Sequence, residues 1–166
     1  MMNFSTLKEM CNIHAPSGSE YLMTEYLLDY ISKEKLKWKK EPLILSGGDF
    51  QDSIILVFGN PKTAIFAHLD SIGFTVGYGS QLITIGSPQL ETGYKLVGRD
   101  TLGDIECGLF LDEGGNLSYI YEREIERGTT LTFKCDFREE GGFIESCYLD
   151  NRLGVFNALK VAETLQ

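Results

Sequence analysis

His68-Leu69-Asp70 and Leu149-Asp150-Asn151-Arg152-Leu153-Gly154 are the two stretches whose residue types and spacing could do chemistry. A neutral imidazole is the commonest side-chain ligand of a metal ion. His68 follows the apolar run of residues 63–67, which reads as a strand, and catalytic groups gather at the C-terminal edge of open α/β sheets. On extended backbone, residues i and i+2 point to the same side. Asp70 can therefore hold the imidazole N–H and fix its tautomer. The same H-x-D spacing also describes a hydrogen-bonded histidine beside an unrelated surface aspartate. Asp150 stands at a strand end directly before a helix, where a carboxylate can bridge two cations through its two oxygens. Taken alone, a plain helix N-cap with Arg152 in solvent is the simpler account of that segment.

Positioning these residues takes several elements. A helix is predicted over residues 5–13, with Ser5 as N-cap and Leu7, Met10 and Cys11 on one face. His14-Ala15-Pro16-Ser17-Gly18-Ser19 breaks it, and Ser17 or Ser19 then opens a second helix to about Lys35. Met23, Leu27 and Ile31 recur at i, i+4, i+8 there, a core-facing stripe. Residues 53–58 and 63–67 read as two strands joined by the turn Gly59-Asn60-Pro61-Lys62. Neither alternates, which predicts burial on both faces beneath helices. From residue 72 to 147 helical periodicity disappears. Short β-rich runs at 74–76, 82–85, 94–97, 106–111, 117–121 and 130–134 are punctuated by glycine, as in a small antiparallel barrel or sandwich. Asp112-Glu113-Gly114-Gly115-Asn116 reads as a hairpin turn. After Arg152 the helical pattern returns, with Leu153, Phe156, Leu159, Val161 and Leu165 on a broad apolar face.

The expected fold class is thus α/β: a partial mixed α/β domain interrupted by an all-β, small barrel-like domain. Residues 1–71 form the first part of the α/β domain, 72–147 the insertion and 148–166 the return. Two or three strands are too few to close an α/β core.

The 166 residues suit about one ordinary domain. A net charge of −9 argues against nucleic acid as a partner, since phosphate binding needs a basic surface, and against an anionic membrane. No apolar run reaches the length of a membrane span. The first residues lack a basic segment followed by an apolar one, so no signal peptide is expected and the cytoplasm is the expected location. Cys11, Cys107, Cys135 and Cys147 form no C-x-x-C pair, which predicts reduced, mostly buried thiols rather than a zinc knuckle.

Three segments occur in order around the β-rich stretch: Ala15-Pro16-Ser17-Gly18-Ser19-Glu20, Ala67-His68-Leu69-Asp70-Ser71-Ile72-Gly73-Phe74 and Tyr148-Leu149-Asp150-Asn151-Arg152-Leu153-Gly154. They resemble the P-S-G-x-E, A-H-x-D-E-I-G-F and D-[DN]-R-x-G segments of the tetrahedral, glutamyl-aminopeptidase family of dinuclear metallopeptidases, over that family's N-terminal half. The resemblance implies a cytosolic aminopeptidase with two divalent metal ions, zinc or cobalt, often assembled as a large homo-oligomer. It implies His68 as a metal ligand, Asp70 as the catalytic-site carboxylate that orients His68, and Asp150 as the carboxylate bridging both metals, with a cis peptide to Asn151. The implied reaction is hydrolysis by metal-activated water on peptide substrates whose free N-terminus binds near the metals. A carboxylate takes the water's proton and hands it to the leaving amine.

The chain also departs from that pattern. The family supplies a Glu-Glu pair as general base and ligand, then a further acidic ligand and a final histidine, all after the bridging aspartate. Only sixteen residues follow Asp150, with no Glu-Glu pair and no histidine among them, so the expectation is that the missing groups lie beyond Gln166. Glu139-Glu140 precedes Asp150 and reads as a solvated charge pair, His14 reads as structural, and Ser71 stands where the family usually has Glu. Zinc sites take about three or four protein ligands, so one histidine and one bridging carboxylate imply an incomplete centre. The isolated chain is expected to hydrolyse no peptide and to expose apolar surface. The alternatives are a non-catalytic half-length relative acting in assembly or binding, and a related two-zinc carboxypeptidase or amidohydrolase.

Overall fold

The structure is a computed structural model that describes residues 3–165. Its elements fall into two compact units. One comprises residues up to Ala15, Ser19–Asp70 and the chain from Leu149; the other comprises Pro16–Gly18 and Ser71–Tyr148.

The first unit is built on α1 (Ser5–Asn12), α2 (Tyr21–Glu34) and α3 (Leu149–Thr164), with a hairpin of β1 (Leu43–Ser46) and β2 (Ile54–Val57). The hairpin is antiparallel, in register from Leu43 opposite Val57 to Ser46 opposite Ile54. The predicted stripes do bury: Leu7, Met10 and Cys11 from α1, and Met23, Leu27 and Ile31 from α2. Phe4 and Phe156 bring their rings to 5.8 Å, joining the start of α1 to α3. Thr24 Oγ1 donates to the Asp52 carbonyl (2.8 Å), and Tyr30 Oη donates to Glu163 (3.1 Å).

Several local expectations need correction. Ser5 is the first residue of α1 rather than its cap, and its N–H donates to Asn3 Oδ1 (2.9 Å). Neither Ser17 nor Ser19 opens α2, which begins at Tyr21 after Glu20. Ser17 is committed elsewhere: its N–H donates to the Ser71 carbonyl (3.1 Å) in the second unit. Residues 63–67 lie in no strand. A strand needs a partner, and β1–β2 is a two-stranded sheet, so Ile65 and Phe66 stay 61% and 88% exposed. β2 is likewise only partly covered instead of buried on both faces. On α3 the buried face is Arg152, Val155, Phe156, Leu159 and Ala162, whereas Leu153 and Val161 face solvent. These two fall off the stripe spaced three and four residues apart.

In the second unit all six β-rich runs fall in strands: β3 (Gly73–Val76), β4 (Leu82–Ile85), β5 (Lys95–Asp100), β6 (Gly103–Leu111), β7 (Leu117–Ile120) and β8 (Thr130–Phe133). They form an antiparallel sheet in the order β4-β3-β8-β5-β6-β7. A bridge between Gln81 and Ser118, and the Tyr119 N–H donating to the Ser80 carbonyl (3.0 Å), bring the edges together into a nearly closed barrel. Phe74, Leu96, Ile105, Leu109 and Leu131 fill its core. At Gly98 a Cβ would lie 2.5 Å from the Thr130 carbonyl oxygen, so β5 and β8 approach as only glycine allows. A hairpin of β9 (Arg138–Glu140) and β10 (Phe143–Glu145), not predicted, carries Glu139 and Glu140 on exposed backbone.

None of the four cysteines forms a disulfide. Cys11 and Cys107 are buried, while Cys135 and Cys147 are partly exposed. Among the described residues no helix is long and apolar enough to cross a membrane.

Candidate metal centre

His68, Asp70 and Asp150 meet at one place in the first unit. His68 Nδ1 lies 3.0 Å from Asp70 Oδ1, and Nε2 lies 3.0 Å from Asp150 Oδ1 across 82 residues of sequence. Nδ1 is also 3.2 Å from the Asp70 carbonyl oxygen. The imidazole is about half exposed and the Asp150 carboxylate almost fully so, which leaves the pair open to ligands from solvent. His68 does not end a strand, as the sequence suggested; it sits on irregular extended chain after residues 63–67.

The donor set has a definite chemistry. A neutral imidazole carries one N–H, and ionised carboxylates only accept hydrogen bonds. If Nδ1–H is given to Asp70, the Nε2 lone pair faces an Asp150 oxygen. Two acceptors at that separation require a proton or a cation to bring them together. A divalent metal fits this pair, with Asp70 behind the imidazole in the usual supporting position. Among the described residues, however, no three His, Cys, Asp or Glu side chains gather as a complete metal-holding group.

The local fold at Asp150 is unusual. Asp150 (φ −89°, ψ 102°) and Asn151 (φ −124°, ψ 32°) are non-helical, so the regular turns of α3 begin at Arg152. The Asp150–Asn151 peptide is cis, as the resemblance implies. Arg152, expected in solvent, is completely buried. Its Nη1 donates to the Leu69 carbonyl oxygen, between His68 and Asp70. At Gly154 a Cβ would fall within contact distance of the Asn151 carboxamide. Arg152, Asn151 and Gly154 are the positions that sequence reasoning left without a role. The D-N-R-x-G spacing was the only signal for them.

His14 is partly buried, which pushes its imidazole pKa below the usual value. That environment suits a structural role.

The sequence matches no protein-family model and no curated protein. Solved structures do match. The TET1 peptidase of Pyrococcus horikoshii, described as able to assemble into a tetrahedron or a large octahedral shell, is 18% identical with a TM-score of 0.75, over 98% of this chain and 56% of that one. The TET aminopeptidase of the marine sediment archaeon Thaumarchaeota archaeon SCGC AB-539-E09 is 16% identical with a TM-score of 0.76, over 96% of this chain and 52% of that one. A Thermotoga maritima protein described as an endoglucanase is 17% identical with a TM-score of 0.71, over 94% of this chain and 54% of that one. The chain spans about half the length of each of these neighbours, and over that half it has the fold of the TET peptidases.

Proposed function

We propose that this chain provides part of the active site of a metal-dependent aminopeptidase. His68 and Asp150 would be metal ligands, and Asp70 would orient His68. The observation that carries the reading is the His68 imidazole held between two carboxylates, each 3.0 Å from a ring nitrogen. The TET fold is consistent with it. Two divalent ions, zinc or cobalt, supply polarisation of a scissile carbonyl and acidification of water when bound. The chain's own contribution is positional. Asp70 would accept a hydrogen bond from Nδ1–H and so leave Nε2 as the ring's lone pair. Asp150 offers both oxygens at an exposed edge. The general base and remaining ligands are not in this set, so the 166 residues alone are expected to be inactive. Peptides with a free N-terminus as substrates, a homo-oligomeric assembly and a cytoplasmic setting belong to the same proposal.

The test is a zinc titration of the chain followed by NMR of the His68 ring. The expected result is weak, saturable binding that shifts His68 and is lost in Asp150→Ala. A His68 signal indifferent to millimolar zinc would overturn the reading. Hydrolysis of an aminoacyl-p-nitroanilide by the chain, abolished by His68→Ala, would overturn the claim of incompleteness. The second reading is a non-catalytic role in assembly or binding. The absence of a third ligand among the described residues favours it, and zinc-indifferent His68 signals are what it predicts.

A further inference from the structure

Arg152 is in a place that ordinarily disfavours arginine. It is completely buried, and burying a charge is costly unless the group is well bonded. It also occupies the first regular turn of α3, where the helix dipole is positive and repels a cation. Two unfavourable terms on one residue call for a local role that offsets them. Its Nη1 donates to the carbonyl of Leu69. That carbonyl belongs to the residue between His68 and Asp70, and Arg152 is two residues from Asp150. The chain around Leu69 has no regular framework of its own, because residues 61–70 lie in no strand or helix.

We infer that Arg152 is a positioning residue whose guanidinium, bonded to the Leu69 carbonyl, holds the His68–Asp70 segment in register with Asp150. Fixing one carbonyl fixes the plane of the peptide joining Leu69 to Asp70. The His68 ring then meets Asp70 on one nitrogen and Asp150 on the other. Arginine suits the task because its planar fork holds a direction that the rotating ammonium of lysine does not. The inference rests on the proposed metal-centre reading for its purpose, but the clamp itself is a matter of this chain's geometry.

The test compares wild type with Arg152→Met and Arg152→Lys. Each is examined for far-UV circular dichroism, for His68 ring nitrogen shifts without metal, and for the zinc concentration that half-saturates the His68 response. The expected result is a folded Arg152→Met whose metal-free His68 shifts differ from wild type. Its zinc midpoint should rise about ten-fold, the usual scale for losing a residue that orients a metal ligand. Arg152→Lys should recover part of both changes. A merely structural arginine would lower the melting temperature and leave the His68 shifts alone, and that outcome overturns the inference. If neither variant folds, the unmodified chain decides. A through-hydrogen-bond coupling between an Arg152 guanidinium nitrogen and the Leu69 carbonyl carbon supports the clamp, and its absence in a folded sample overturns it. Wild type that ignores zinc would sink the metal reading, while the metal-free His68 shifts still decide the clamp.

Discussion

At Gly154 the space a side chain would take is filled by the Asn151 carboxamide. A Cβ there would lie 2.6 Å from Asn151 Cγ and 3.0 Å from Nδ2. Asn151 is the last non-helical residue before the regular part of α3, and Gly154 is three residues on, where an N-cap side chain leans over the first turn. Two terms oppose each other in Gly154→Ala. Alanine is better than glycine inside a helix by about 1 kcal/mol, and a displaced cap costs about the same. The melting temperature should therefore move little. The Asn151 side-chain amide resonances should move strongly, and the zinc response of His68 should weaken several-fold as the Asp150–Asn151 turn readjusts. Unchanged Asn151 resonances would show that the placement of its side chain does not depend on the glycine. At this scale the chemistry-bearing residues were readable, because H-x-D fixes which side chains share a side of extended chain. Arg152 was not. A cation at a helix start is ordinarily solvated, and Arg152 instead is buried and donates to a carbonyl 83 residues earlier, which no local pattern encodes.

Among the elements, the barrel strands were readable for a local reason. Each run is rich in β-formers and ended by glycine or a polar turn; β6 buries Ile105, Cys107 and Leu109 in turn. Residues 63–67 had the same apolar character but no neighbouring strand, and apolar composition cannot supply a pairing partner. One barrel contact makes a pH prediction. Arg123 Nη1 and Nη2 grip the Asp100 carboxylate at 2.6 and 2.8 Å at the β5–β6 turn. Hydrogen bonding from Arg123 is the largest influence on that carboxyl, and its pKa falls from 3.8 to about 2. A pKa lower in the folded state means that protonation favours the unfolded chain. The stabilisation is complete above about pH 4 and fades as pH falls towards 2. Arg123→Met should therefore be less stable than wild type at pH 7, and the gap should narrow below pH 4. Urea unfolding at pH 7 and pH 3, followed by barrel amide signals, checks this; a gap of equal size at both pH values would mean that the ion pair does not set the pKa. A second check concerns Cys107 on β6, whose burial pushes its thiol up to about 11. Alkylation at pH 8 should modify Cys135 and Cys147 well before Cys107, since the thiolate is the reactive form.

For the whole molecule, the informative feature is a core left open in the helical unit. The barrel closes on its own side chains. The helical unit instead holds an apolar groove of about 390 Å³, lined by Leu27, Ile31, Ile54, Phe58, Phe66 and Leu159 among others. Phe66 stands almost wholly in water beside it. Exposed apolar surface of this kind normally marks a contact site, and the neighbours of this fold have nearly twice as much chain. For the chain alone in solution the available cover is a second copy. Sedimentation equilibrium should therefore show reversible self-association, and an apolar dye should bind and be displaced as association proceeds. Phe66→Glu places a charge on the open face and leaves the barrel untouched. It should shift the equilibrium towards monomer by about ten-fold or more, because burying an unpaired carboxylate is costly. Monomeric behaviour with dye bound would mean that the groove is open but fits a different polypeptide. Monomeric behaviour without dye would mean that residues 63–67 fold over the groove in solution. That rearrangement would also move His68, so the His68 ring signals would report it in the same samples.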